Sequence, residues 1–430
     1  MSEALNRVRI GEGIHFSHIP DPKFKRNLIS INFITPLDEA HAADNAVIPF
    51  ILRKGCRECP DFSTLNARLN ELYGATLSAG ISKVNCWQII GVSILALDDR
   101  FALENEDISG ACASLLAAVA LDPKPGPDGF FASTDVELEK QYLIDTIESE
   151  INDKRSYAIM RCMQEMCAGE PVSVRRYGTL ESAGRITPRS AYEAYRNLLE
   201  SAGIEISFSG CGDPSAARRV FTEAFTDIPR GAEGFSLLPL RQKVAEVKER
   251  TENMALSQAK LVMGFRCAGL AGQEEIDAMR LCSALLGGTP FSKLFLNVRE
   301  RLSLCYYCAS NFDQYNKILI VDSGIEAKNN MQTREEILRQ LAAIQSGDFT
   351  DEELADTKRL ISNSITRNTD SPSAMESWYL YQIIKHAAAS PREEAARLNE
   401  VTREQIIAAS QGVALDTVYF LSGNEEGEGE

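Results

Sequence analysis

Four histidines, eleven cysteines and one carboxylate set among apolar residues are the groups in this 430-residue chain whose spacing could do chemistry. His15 and His18 stand three apart in "IHFSH". In an extended segment such positions face opposite sides of a sheet and cannot share a metal, so both are expected as partly exposed N-terminal residues. His41 lies in an acidic loop and His386 on a C-terminal helix, each isolated, at surface or satisfied positions. Two CxxC spacings occur, Cys56/Cys59 and Cys305/Cys308. The first falls in a loop and could chelate, but a lone pair is half of what a structural zinc requires. The second lies in an apparent strand, "LCYYCASNF", and alternation predicts that its thiols point to opposite faces. Glu139, in "VELEKQYLIDTIESEI", falls on the apolar stripe of Val136, Leu143, Ile147 and Ile151. A carboxylate there needs a partner or a wet cavity.

The elements that would position these groups belong to a chain of ordinary globular composition, 44% hydrophobic and 25% charged, long enough for two or more domains. A formal net charge of −16 opposes a phosphate backbone, and no basic segment offsets it, so nucleic-acid binding is not expected. The N-terminus has no apolar run of signal-peptide length, and "ACASLLAAVAL" is too short to span a bilayer. An odd number of scattered cysteines suits a reducing compartment. The expectation is a cytoplasmic protein without membrane contact.

Internal similarity divides the chain in two. "LISINFITP" (from Leu28) resembles "LVMGFRCAG" (from Leu261), and "DFSTLNARLNELYG" (from Asp61) resembles "PFSKLFLNVRERLS" (from Pro290). "STDVELEK" pairs with "FTDEELAD", "RITPRSAYEAY" with "EVTREQIIAAS", and "IEISFSG" with "TVYFLSG", all in the same order. Within the first half, Leu65, Leu69 and Leu72 have helical spacing before Gly74, and "ATLSAGISKV" and "CWQIIGVSILAL" read as consecutive strands of an antiparallel meander. The predicted fold class is α+β, two homologous halves that are each a mainly antiparallel sheet flanked by helices. The halves are placed at 1–228 and 251–424, with a Pro/Gly-rich linker at 229–250 and a disordered acidic tail at 425–430.

The stretch "LLGGTPFSKLFLNVRERLSLCYYCAS" resembles the C-terminal-half signature of the pitrilysin/insulinase-like zinc peptidases. These include the mitochondrial processing peptidases and their bacterial relatives. The duplicated halves, the length and the order of elements resemble that family over nearly the whole chain, and most of all its bacterial subfamily associated with elongation factor P modification. The resemblance implies the metallopeptidase LuxS/processing-peptidase-like fold.

Active members carry an inverted HxxEH motif on the first long helix of the N-terminal half. Its histidines hold zinc, its glutamate serves as general base, and a glutamate from a later helix completes the ligands. In the family a short apolar stretch and Lys-Gly follow the motif. Anchoring on Lys54-Gly55 puts the histidines at Ala46 and Phe50 and the glutamate at Pro49, in "DNAVIPFILRKG". None of the three can bind zinc or accept a proton, and no histidine lies between His41 and His386 to rescue the register. Pro49 is expected near the start of its helix, where few backbone bonds are lost. Matching Glu139-Lys140 to the family's Glu-Arg pair places the last ligand at Thr146, also lost, with Glu139 a relic acid that pairs with an arginine or faces water.

In the C-terminal half the resemblance implies retention. The family's chamber-lining arginine and tyrosine match Arg299, near the end of a helix, and Tyr306, on the following strand. Arginine can hold a peptide carbonyl, and a tyrosine hydroxyl can donate to the oxyanion of peptide-bond attack. Zinc site lost and Arg/Tyr pair kept is the pattern of the non-catalytic subunit in the family's heterodimers. The expectation is a chain inactive alone, with no cofactor of its own. It would bind peptide through Arg299 and Tyr306 and complete the chamber of an HxxEH-bearing paralogue that supplies zinc. The alternatives are a peptide- or protein-binding scaffold with no proteolytic role, and an enzyme with an unrelated site.

Overall fold

The computed structural model describes residues 5–231 and 234–423; the acidic tail at 425–430 lies outside them. Five strands of the first half, β2 (Ile14–Pro20), β3 (Arg26–Pro36), β4 (Thr76–Val84), β5 (Trp87–Leu97) and β6 (Gly203–Gly210), form one sheet with β1 (Asn6–Gly11). It runs in the order β1-β2-β6-β3-β5-β4. The second half supplies β7 (Lys248–Asn253), β8 (Ala259–Cys267), β9 (Cys305–Asp313), β10 (Ile318–Ile325) and β11 (Val413–Ser422), in the order β7-β11-β8-β10-β9.

Without β1, the two orders are the same. In each sheet the half's first strand pairs in parallel with its last, β2 with β6 and β7 with β11. Every other neighbour in both sheets is antiparallel. This identity of order and direction is the structural form of the duplication, with β1 an addition to the first copy. Even the helix starts are copied. Thr187 caps the helix Pro188–Ser201 by exchanging bonds with Ser190, and Thr402 does the same with Gln405 before the helix Arg403–Ser410. Each such cap is worth about 1 kcal/mol.

Alternation along β3 sets the layers. Ile29, Ile31 and Phe33 are fully buried in a core with residues of α1 (Ala42–Leu52), α2 (Phe62–Glu71) and α3 (Ile108–Leu121). Ser30 and Asn32 occupy the opposite face. The first half also contains α4 (Ser133–Ser149) and α5 (Lys154–Met166).

The compact units cut across the sequence halves at 1–228 and 251–424. One comprises Met1–Glu148, Val174–Leu238 and Asn368–Pro391; the other comprises Ser149–Ser173, Pro239–Arg367 and Arg392–Glu430. α5, encoded in the first half, therefore belongs to the second sheet, where Ala158, Cys162 and Met166 share a core with Val262, Ile318 and Tyr419. The helix Pro372–Ile384, encoded in the second half, belongs to the first sheet, where Met375 and Tyr379 pack with Ile19 and Phe24. Among the described residues of the segment at 229–250, none has regular structure until β7 begins at Lys248. It is tied down at Ser236, whose carbonyl accepts from the Trp87 indole at 2.6 Å, and at Leu238, whose backbone exchanges bonds with Asn85.

Candidate functional site

α1 begins at Ala42, with its N-terminal approach held by Asp38, whose carboxylate accepts from the backbone N–H groups of Ala40 and His41. Pro49 is thus the eighth residue of eleven. This corrects the expectation that it sits near the helix start, because the helix opens earlier than Asp44. Its ring removes the N–H that would bond to the Asn45 carbonyl in a helix interior. A side-chain tie anchors the same turn: Asn45 donates to Gln88 on β5 at 3.1 Å, and Gln88 donates to the carbonyls of Ala42 and Arg176.

The three motif positions offer no donor atom. Ala46 is completely enclosed, Pro49 is buried, and the half-buried Phe50 ring lies beneath the Arg53 guanidinium, 5.1 Å from its centroid. Glu139, on α4, is 4% exposed, and its carboxylate is 2.6 Å from Lys54 Nζ and 3.9 Å from Arg53. The relic acid is therefore partnered, chiefly by the lysine of the Lys-Gly anchor rather than by an arginine alone. Thr146 lies two turns further along α4, with its hydroxyl donating to the Tyr142 carbonyl at 2.7 Å. These residues do not fit a zinc ion. The one carboxylate is already neutralised, and two cations stand where a dication would have to enter. Among the described residues no group of three His, Cys, Asp or Glu could hold a metal.

The histidines are dispersed. His15 lies opposite Glu205 across the β2–β6 pair at 3.5 Å, the same carboxylate that Arg7 grips with both its Nε and a terminal nitrogen. His18 packs edge-on against Phe208, and burial holds its imidazole below the usual range despite the opposing pull of Asp213. His41 pairs with Asp38, and His386 stacks on Phe235.

In the other unit, Arg299 lies in the segment Phe295–Arg301, whose turns are of the wide π type. Its guanidinium covers the Phe295 ring at 4.6 Å and reaches Glu300 at 3.5 Å. The neighbouring π segment Ala284–Gly288 runs against β9 so closely that a Cβ on Gly287 would meet the Ser310 nitrogen at 2.6 Å. Tyr306 is 69% exposed near the start of β9, the edge strand of its sheet. The β9–β10 register jumps there: Gly324 faces Tyr307 and Ile325 faces Cys305, so Tyr306 is the extra residue of a β-bulge. Gly324 admits this arrangement, since a Cβ there would meet the Tyr307 ring at 2.5 Å.

The bulge corrects one sequence expectation. Ser323 faces Cys308 and Ile325 faces Cys305, and Ser323 and Ile325 are two apart on β10, so both cysteines lie on one face. The alternation rule fails because the bulge inserts one residue between them. Cys56 and Cys59, by contrast, are both buried.

Sequence reasoning missed Glu376. It is buried on the helix Pro372–Ile384 and accepts from Ser30 at 2.9 Å and Asn32 at 2.8 Å. Burial raises its carboxyl above the usual range, against the pull of those two donors. It lines a cavity of about 310 Å³ over the polar face of the first sheet, with Ser78, Gly80 and Ser93. Its place amid Met375, Tyr379 and Leu380 was the available signal.

Comparison with known proteins agrees with this picture. Residues 185–361 match the family model described as the peptidase M16 inactive domain. Over 423 residues, covering 98% of this chain and 99% of the relative, the chain is 29% identical to the Probable inactive metalloprotease YmfF of Bacillus subtilis (strain 168). The Uncharacterized zinc protease YmxG of the same organism is 30% identical over 127 residues, 29% of this chain and 31% of that protein. A conserved protein from Enterococcus faecalis V583 superposes with a TM-score of 0.89 at 26% identity, covering 99% of this chain and 100% of the other. With its duplicated sheets and a motif helix that offers no metal ligand, the chain is similar to the pitrilysin/insulinase-like (M16) peptidases, and over residues 185–361 to their inactive domain.

Proposed function

We propose that this chain is the non-catalytic subunit of a heterodimeric zinc peptidase, binding extended peptide and completing the chamber of an HxxEH-bearing paralogue that supplies the metal. The observation that carries this reading is a contrast between the halves. The zinc positions hold Ala46, Pro49 and Phe50, whereas the arginine and tyrosine positions keep Arg299 and Tyr306, the latter standing in solvent on a bulge. A core tyrosine needs no bulge, and bulges re-aim side chains next to functional sites. β9 ends its sheet, so its outer edge suits backbone pairing with an extended peptide. In support, B. subtilis has both a probable inactive metalloprotease and an uncharacterized zinc protease that are similar to this chain. A cytoplasmic location fits the odd number of scattered cysteines. Among the described residues no helix is long and apolar enough to cross a membrane.

The test is co-purification from the native cell, followed by metal analysis and peptidase assay of the chain alone and of the mixed complex. The expected result is zinc in the partner and cleavage by the complex only. Tight peptide binding with no metal-bearing partner would instead favour a scaffold.

A further inference from the structure

The pair Cys305/Cys308 has the geometry of a working dithiol. Both side chains lie on the face of the second sheet marked by Ser323 and Ile325. The two thiols lie close enough to perturb each other, beside the Ser323 hydroxyl, which donates to the Tyr307 carbonyl at 2.8 Å. Their surroundings differ. Cys308 is buried, while Cys305 is partly exposed and feels the charge of the Arg299 guanidinium. Apart from Cys305 and Cys211, every cysteine in the chain is buried, and the other close pair, Cys56/Cys59, has both members in that buried set.

We propose that Cys305 and Cys308 form a redox-active site that closes to an intrachain disulfide by exchange with a low-molecular-weight disulfide. The Cys305 thiolate attacks one sulfur of R–S–S–R, the S–S bond breaks, and R–S⁻ departs and takes up a proton. Cys308 then loses its proton and attacks Cys305 Sγ of the mixed disulfide, releasing a second thiolate that is protonated in turn. Two protein thiols are oxidised and one small disulfide is reduced to two thiols. The roles follow from placement. The attacking sulfur must be accessible and beside a cation, and the resolving sulfur can be buried if it already touches its partner. In the reduced state the neighbouring thiol of Cys308 holds the Cys305 thiol below the ordinary range, helped by the Arg299 charge and opposed by burial. Burial and the partner thiol hold Cys308 well above it. The inference stands apart from the peptide-binding reading and does not depend on a partner subunit.

The experiment equilibrates the full chain with reduced and oxidised glutathione at graded ratios, blocks free thiols, and maps cysteines by mass spectrometry. Cleavage after Arg301 and Lys317 isolates both sulfurs on one peptide, Leu302–Lys317. The expected result is loss of two hydrogens from that peptide at oxidising ratios, reversed by reduction. In Cys308→Ser a glutathione adduct should accumulate on Cys305, and in Cys305→Ser neither product should form. Cys305 should also alkylate at least about tenfold faster than Cys308 in the reduced protein. A Leu302–Lys317 peptide that stays fully reduced would overturn the proposal. So would a stable glutathione adduct in the unsubstituted chain, or a disulfide from Cys305 to any other cysteine.

Discussion

Lys54 Nζ lies 2.6 Å from the carboxylate of Glu139, which is buried on α4 two turns before Thr146. The pair engages the relic carboxylate with a cation, and its members are unequally exposed: Lys54 keeps about a quarter of its side chain in solvent, Glu139 almost none. Removing the two partners should therefore have unequal effects. Lys54→Met leaves a buried carboxylate with only the more distant Arg53, and should cost about 2 kcal/mol, below the ~3–5 kcal/mol of a fully enclosed pair. Glu139→Gln leaves a lysine that can turn to water and should cost under about 1 kcal/mol. Urea unfolding of the two variants checks the order, and equal losses would show that the pair is a surface contact.

Pro49 offers a test in the opposite direction. A proline in a helix interior costs about 3 kcal/mol relative to alanine, and Pro49 →Ala would restore a donor for the Asn45 carbonyl. Against that gain stands the loss of a buried ring, about 1–2 kcal/mol of packing. The net expectation is a more stable chain by about 1 kcal/mol, read as a higher urea midpoint with an unchanged slope. A lower midpoint would mean that the ring, more than the missing bond, decides how α1 sits.

Glu376 predicts how stability changes with pH. Burial makes its folded carboxyl hold a proton more tightly than the unfolded one, whose ordinary value is 4.5. The folded state then binds more protons in the window that opens above 4.5, so this group's contribution to stability falls as pH rises through it. Glu376→Gln keeps an acceptor for Ser30 and Asn32 and removes the titration. Thermal melts at pH 4 and pH 7 should show the variant gaining on the parent at the higher pH. A parent that gains on the variant instead would mean the ionised carboxylate is the form the fold prefers.

Much of this fold was legible because its signals are local. The strands "LISINFITP" and "LVMGFRCAG" became the corresponding strands β3 and β8, and the quoted repeats became one strand order used twice. What was hidden is whatever depends on a partner distant in sequence. The apolar stripe of α5 shows that it packs, but not that it packs on the sheet of the other half. Glu376 looks like an interruption of an apolar helix until Ser30 and Asn32, more than three hundred residues earlier, are placed beside it. The Cys305/Cys308 reading failed for a smaller reason. One bulged residue reverses alternation, and no residue type in "LCYYCAS" announces a bulge.

Arg299 and Tyr306 carry the last prediction. Both are substantially exposed, Tyr306 at 69% and the Arg299 side chain at 43%, so replacing them should leave the fold intact, with stability within about 0.5 kcal/mol of the parent. If they form the wall opposite a partner's zinc, the effect belongs to the mixed complex alone. Tyr306→Phe removes a single hydroxyl donor, and loss of one oxyanion donor lowers kcat about a hundredfold. Arg299→Ala removes a cation that can hold a peptide carbonyl and should act mainly through KM. Peptidase assays of the complex reconstituted with each variant, beside circular dichroism of the variants alone, separate the two. Full activity with both residues replaced would remove Arg299 and Tyr306 from the substrate's path, leaving the bulge at Tyr306 to be explained by the Cys305/Cys308 pair that it brings together.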